Sequence, residues 1–272
     1  TVKIRADGET KLRLPVHTLD SIVCFGGASA SAPLMELCGE NDVPLAFLSQ
    51  NGRFRARVEG PVSGNVLLRR EQYRWADDEN KSAEIARSVV MAKIFNGRKV
   101  LLRAARDHSE TTDADSLRSA SKRMAQILRS LRAAGELSRV RALEGEAARQ
   151  YFGVFDHLIT SQKDDFSFEG RNRRPPLDFT NALMSFLYAV LLNDVSSALE
   201  AHGLDPCVGY LHRDRPGRQG LGLDIMEEFR PILGDRVALS LINRKQLQAS
   251  DFRNTESGAA LLDDSGRRKV LK

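Results

Sequence analysis

The sequence predicts an α+β protein: a small β-rich, sandwich-like N-terminal domain over residues 1–64, followed by a larger all-α domain over residues 65–272. Three observations carry that reading. Apolar and polar residues alternate early in the chain, as in half-buried strands. Glycine and proline turn signals crowd the region before residue 65. From Val66 onward the apolar period lengthens to that of helices.

Val2 and Ile4 alternate with polar neighbours, and Leu12, Leu14 and Val16 do the same. Residues 21–25 (SIVCF) read as a short buried strand. After Gly26-Gly27 comes a helix with Leu34, Met35, Leu37 and Cys38 on its apolar side and Gly39 as its expected stop. Two further strands, 43–48 and 54–58, flank Asn51-Gly52, a strong hairpin signal. Gly60-Pro61 and Gly64 close the region. Beyond it, Ile85, Val89 and Ala92 are expected on one helix face. Leu183, Leu187, Val190, Leu191 and Val195 are expected on another, in a helix ended by Gly203. Residues 161–176 are polar and basic and read as a loop.

Composition narrows the function classes. The 272 residues include 41 basic and 36 acidic side chains, a net charge of +5 that leans mildly toward polyanionic partners. Cys24, Cys38 and Cys207 are widely spaced and read as three reduced core thiols, which points to a cytoplasmic protein. No secretory signal opens the chain. The apolar run 182–192 falls short of the roughly 20 residues a membrane span needs, so no membrane partner is expected. A chain beginning at Thr1 without methionine, inside a strand, reads as a fragment.

Three segments could carry chemistry. In residues 139–155, Val140, Ala147, Tyr151 and Phe155 share a face on a wheel of about 100° per residue, and Glu144 lies in the middle of it. A carboxylate there is costly unless it is paired or binds a metal. An arginine such as Arg141 would satisfy it without any catalysis. Gly145, which costs about 1 kcal/mol relative to alanine in a helix, suggests close approach of another backbone. In the second segment, His212 opens a Gly/Pro/Arg loop. Asp224, Glu227 and Glu228 follow at i, i+3 and i+4 on one helix face, opposite Met226 and Leu233. Such a face is commonly just solvated. A histidine near it, with Arg213, Arg215, Arg218 and Arg230 alongside, also makes a plausible divalent-cation site. In the third, Arg118, Lys122, Arg129 and Arg132 form a basic stripe beside the apolar stripe Leu117, Ala120, Met124, Ile127 and Leu131, suited to a phosphate backbone or to solvent alone. No aromatic interleaving accompanies it. His17, His108, His157 and His202 adjoin no acidic cluster, and phosphate loops, CxxC pairs and nucleophile elbows are absent.

In order and spacing these segments resemble one family. They include the EG-x-x-AR-x-YF helix from Glu144, RRPP-x-D-x-x-NAL-x-SFLY from Arg173 to Tyr188, then G-Y-L-H and D-I-M-EEFRP, with the N-terminal VCFGG, LMELC and SQNGRFRARV stretches. The family is the larger of the two universal CRISPR spacer-acquisition proteins, an integrase/endonuclease. The resemblance implies that Glu144, His212 and Glu227 hold Mg²⁺ or Mn²⁺, with Asp224 a near neighbour and Glu228 the less favoured ligand. It implies joining of the 3′-hydroxyl of a short DNA fragment to a CRISPR repeat by strand transfer. Arg118, Lys122, Arg129, Arg132, Arg171, Arg173 and Arg174 are then expected to hold DNA. A homodimer and the smaller acquisition protein are the expected partners. The family pattern continues before Thr1 and beyond Lys272. The competing readings are a non-catalytic nucleic-acid scaffold and a metal nuclease acting on branched DNA in repair.

Overall fold

The computed structural model describes residues 1–58, 65–108, 110, 112–172 and 174–272. The expected domain division at residue 64 falls on the undescribed residues 59–64. Strands β1 (Val2–Ala6) and β2 (Glu9–Leu14) form an antiparallel hairpin in which Val2 faces Leu14. Strand β3 (Ile22–Phe25) pairs in parallel with β4 (Leu45–Leu48), and β4 pairs antiparallel with β5 (Phe54–Val58). The Asn51-Gly52 signal therefore marks a real hairpin, with Gly52 at φ 76° in the left-handed region. Helix α1 (Ala32–Glu40) links β3 to β4 and runs one residue past Gly39, to a cap at Asn41. The small core here is Val2, Val16 and Val43, with Leu34 and Leu37 of α1 against it.

The rest is helical: α2 (Val66–Asp77), α3 (Glu79–Asp107), α4 (Ala114–Arg132), α5 (Leu137–Phe152), α6 (Phe179–Ala201), α7 (Gly220–Phe229) and α8 (Arg236–Asn243). Asn65, Asp78, Asp113 and Asp178 cap four of them through side-chain oxygens that accept first-turn N–H groups. The apolar stripe of α4 is buried as expected, from Leu117 to Leu131. On α3 Val89 is buried as expected, but the buried face is centred on Ala86, Val90, Ile94, Gly97 and Leu101, and Ile85 and Ala92 sit at its edge. Gly97 lets α4 and α5 close in, since a Cβ there would lie 3.2 Å from Met124. The C-terminal segment adds a small hairpin, β6 (Phe252–Asn254) with β7 (Ala260–Leu262), and a short α9 (Asp264–Val270). These strands of three residues are too brief to show a period of two.

Helix α6 is long and apolar enough to cross a membrane by length and composition. Here it is a core element. Phe186 packs against Phe25 of β3, the Glu200 carboxylate pairs with Arg57 of β5, and Leu183 is fully buried against the helical core. Of the cysteines Cys38 is buried and Cys24 partly so, but Cys207 is exposed, on the loop after α6, and does not belong to the core.

Two local features shape the interior of the helical region. Residues Arg230–Asp235 form a π-helical segment between α7 and α8, a device that holds one extra residue per turn. It places Asp235 in the core, where the Tyr188 hydroxyl donates to Oδ1 and the Tyr151 hydroxyl donates to Oδ2 at 3.0 Å. Burial pushes the Asp235 carboxyl up more than those hydroxyls and the nearby arginines pull it down, to about 6. The second feature is backbone on backbone. A Cβ on Gly209 would lie 2.7 Å from the carbonyl carbon of Gly220, and one on Gly220 would lie 2.8 Å from the oxygen of Cys207. Only glycine at both positions lets the 207–212 loop lie on the first turn of α7.

Two outcomes are expected. Gly220→Ala should destabilise the protein by about 1–3 kcal/mol in urea melts, because backbone cannot yield as a side-chain tip does. Asp235 holds a proton in the folded state between its unfolded pKa of 3.8 and about 6, so stability falls as pH rises through that window. Asp235→Asn removes the proton linkage. Its stability relative to wild type should rise by up to roughly 3 kcal/mol between pH 4 and pH 7, and parallel curves would refute the assignment.

Candidate metal centre

Asp224 organises the site. It is fully buried on α7, and its Oδ2 accepts the backbone N–H groups of Tyr210 (2.6 Å) and Leu211 (2.8 Å). Its Oδ1 accepts the His212 N–H at 3.0 Å and the His212 Nδ1–H at 2.6 Å. A charged carboxylate with four donors is satisfied without solvent. The loop folds onto α7 because those N–H groups need an acceptor and the Gly209–Gly220 contact admits one. With Nδ1 committed as a donor, His212 Nε2 keeps its lone pair, and it lies 3.9 Å from Glu227 Oε1.

Glu227 stands one turn further along α7 and is also buried. Arg230 lies 2.7 Å from its Oε1, and the Lys93 ammonium of α3 lies 2.7 Å from its Oε2. Burial alone would raise its pKa, but Lys93 and Arg230 outweigh it and hold the carboxyl at about 2. The face of α7 is therefore an enclosed wall, not the solvated acidic surface that its spacing also allowed. Glu228 is only half-buried, and burial raises its pKa. Leu233, expected on the apolar side, is exposed because the π-helical segment changes the register after Phe229.

From α5, Glu144 reaches the same Lys93 ammonium with its Oε1. Its charge partner is thus a lysine from another helix. Arg141 serves differently, donating to the Leu211 carbonyl at 2.7 Å beside the histidine. Among the described residues no backbone of another element approaches Gly145: a Cβ there would meet nothing within 4 Å, so the close approach read from this glycine is not found.

Glu144, His212 and Glu227 line one cavity of about 170 Å³, together with Lys93, Tyr188 and Arg230. The sequence separates these residues by up to 137 positions, and the packing of α3, α5 and α7 unites them. Among the described residues no three His, Cys, Asp or Glu side chains meet at ligand distance, because the Lys93 ammonium stands between the two glutamates. The donor set fits a small divalent cation: one imidazole nitrogen with a fixed tautomer and two carboxylates already facing one positive charge.

The basic residues divide. Arg118, Lys122, Arg129 and Arg132 are exposed along α4, outside the cavity lining, with Arg118 paired to Asp115 at 3.1 Å. Arg174 is exposed, and Arg173 lies outside the described residues. Arg171 is held by Asn181 and by Ser185 (3.2 Å), its guanidinium 5.1 Å from the centre of the Tyr188 ring. Arg230 also lies over that ring, at 4.9 Å. Lys93 and the Tyr151–Asp235–Tyr188 cluster escaped the sequence reading. The signal for Lys93 was present: a charge among Val90, Ile94 and Gly97 on an apolar face, the mirror of the one that exposed Glu144.

Comparison with known proteins identifies the relatives of this chain. The family model for CRISPR associated protein Cas1 matches residues 1–272. The CRISPR-associated endonuclease Cas1 2 of Rhodospirillum rubrum is 52% identical over 269 residues, 97% of this chain and 77% of that protein. A Cas1 protein from Thermotoga maritima has the same fold, with a TM-score of 0.78 and 27% identity over 95% of this chain and 79% of that one. A casposase bound to integration product gives a TM-score of 0.77 and 26% identity over 93% of this chain and 68% of the other. With the β-rich region, the helical domain and the glutamate–histidine–glutamate cavity all in place, the chain belongs to the Cas1 family.

Proposed function

We propose that the protein is the metal-dependent DNA integrase/endonuclease of CRISPR adaptation, with Glu144, His212 and Glu227 as ligands of one Mg²⁺ or Mn²⁺ and Asp224 as the group that orients His212. The observation that carries this reading is the convergence of those three side chains, from α5, the 209–212 loop and α7, on one partly enclosed cavity. When bound there, a divalent ion would supply Lewis-acid polarisation of a phosphodiester and lower the pKa of an attacking hydroxyl.

In strand transfer, the 3′-oxygen of the incoming fragment forms a bond to phosphorus while the bond from phosphorus to the repeat's 3′-oxygen breaks. One hydroxyl gives up a proton and the other gains one, so the number of phosphodiesters is unchanged. No covalent protein intermediate is needed: among the described residues the cavity lining holds no serine or cysteine, and the hydroxyls of its two tyrosines are committed to Asp235. The chain's own residues then have definite work. Asp224 keeps His212 Nδ1 protonated and Nε2 free to ligate. Arg230 and Lys93 keep Glu227 ionised. Arg230 and Arg171, over the Tyr188 ring, put guanidinium charge within reach of phosphates. The exposed Arg118, Lys122, Arg129 and Arg132 of α4, with Arg174, extend that positive surface along a DNA backbone, and the family resemblance adds Arg173 as a DNA contact. We assign the β-rich residues 1–64 and the helical residues 65–272 to separate domains, and place the protein in the cytoplasm as a homodimer that works with the smaller acquisition protein.

A labelled branched DNA mimicking a half-integrated spacer tests the proposal. With Mn²⁺ the protein should rejoin the repeat strand and release the fragment. Glu144→Gln and His212→Ala should each lower the rate by 10³-fold or more while DNA binding changes little. Binding without rejoining by the wild type would leave a scaffold. Cleavage without rejoining would leave a nuclease of branched DNA.

A further inference from the structure

Lys93 stands where the metal reading puts a divalent ion, between Glu144 and Glu227. It projects from the buried face of α3, between Val90, Ile94 and Gly97, with its side chain 15% exposed. Its ammonium touches Glu144 Oε1 and lies 2.7 Å from Glu227 Oε2. Among the described residues, the only ion pair of Glu144 is this one. Lys93 is therefore a fixed positive charge at the point the two carboxylates share.

We infer that Lys93 is a tethered counter-ion of the metal site, holding Glu144 and Glu227 together in the metal-free protein and competing with the divalent ion for the same two carboxylates. The inference rests on the assignment of those glutamates as ligands. An ammonium meets carboxylate oxygens at roughly 2.7–2.9 Å, whereas Mg²⁺ needs about 2.0–2.1 Å, so lysine keeps the site assembled but slightly wide. Both cations cannot lie between the same oxygens, so entry of one displaces the other. The metal-free site then does not fly apart through repulsion of its carboxylates, and metal binding is weaker than the bare ligand set would give. Lys93 is a positioning residue, acting through Glu144 and Glu227.

Mn²⁺ titration followed by electron paramagnetic resonance, with thermal melting in parallel, separates the possibilities. Lys93→Met keeps the length of the side chain and removes the charge. It should melt below wild type in chelator, bind Mn²⁺ at least tenfold more tightly, and show a larger rise in Tm on adding the metal. Lys93→Arg, which keeps the charge, should bind within about threefold of wild type, so a change caused by packing alone would appear in both variants. Equal or weaker Mn²⁺ binding by Lys93→Met, with binding abolished in His212→Ala, would overturn the counter-ion role and leave the ligands standing. Unaltered binding in His212→Ala would remove the metal site itself, and the counter-ion role with it.

Discussion

A carboxylate can be buried among helices only if protons or cations meet it there, since the desolvation penalty for a bare charge is several kcal/mol. Among the described residues this protein buries three in and beside the cavity, Asp224, Glu227 and Asp235, and meets each by a different means; a fourth, Asp251, lies in the C-terminal segment against Lys269. Asp224 takes three backbone N–H groups and one imidazole. Glu227 takes two side-chain cations. Asp235 takes two tyrosine hydroxyls and is pushed toward its protonated form. These solutions explain why the 207–212 loop lies where it does, why α3 presents a lysine inward, and why α5 and α6 each bring a tyrosine to one point.

The arrangement also divides labour between rigidity and charge. Asp224 spends all its accepting capacity on the loop and His212, so its contribution is geometric. Glu144 and Glu227 keep charge that the protein balances with Lys93 and Arg230, and that charge is available to another cation. A partly enclosed cavity strengthens each of these interactions, because water that would screen them is limited. The proposed metal site is thus built on packed helices, with the histidine alone delivered by a loop.

How much of this was legible in the sequence depends on the range of each interaction. Periodicity is local, and it marked the strands, the Asn51-Gly52 hairpin and the buried stripe of α4. The unusual position of Glu144 was local too, because a charge on an apolar stripe breaks a pattern within one helix. His212 and Glu227 drew attention only through spacing that also suits a solvated surface, and the family motifs resolved that choice. Lys93 was missed because its meaning depends on Glu144 and Glu227, 51 and 134 positions away. The role given to Gly145 and the core placement of Cys207 failed for the same reason: neither neighbour sequence says what stands across a helix or over a loop. The β6–β7 strands are too short to carry a period.

The π-helical segment from Arg230 to Asp235 has a consequence for how this fold can vary. Both of its ends are spoken for, Arg230 by Glu227 and Asp235 by the two tyrosines. Because the widened turn already takes up one extra residue, loss of one residue there would return the ordinary helical pitch and leave α8 near its present orientation, whereas gain of a further residue would turn everything after it by about 100°, carrying Asp235 away from its partners and α8 off its seat. Many replacements of the exposed Leu233 side chain would be absorbed by solvent. What this stretch limits is the count of residues more than their kinds, so natural variation here should run through substitution or loss of the extra residue and not through gain.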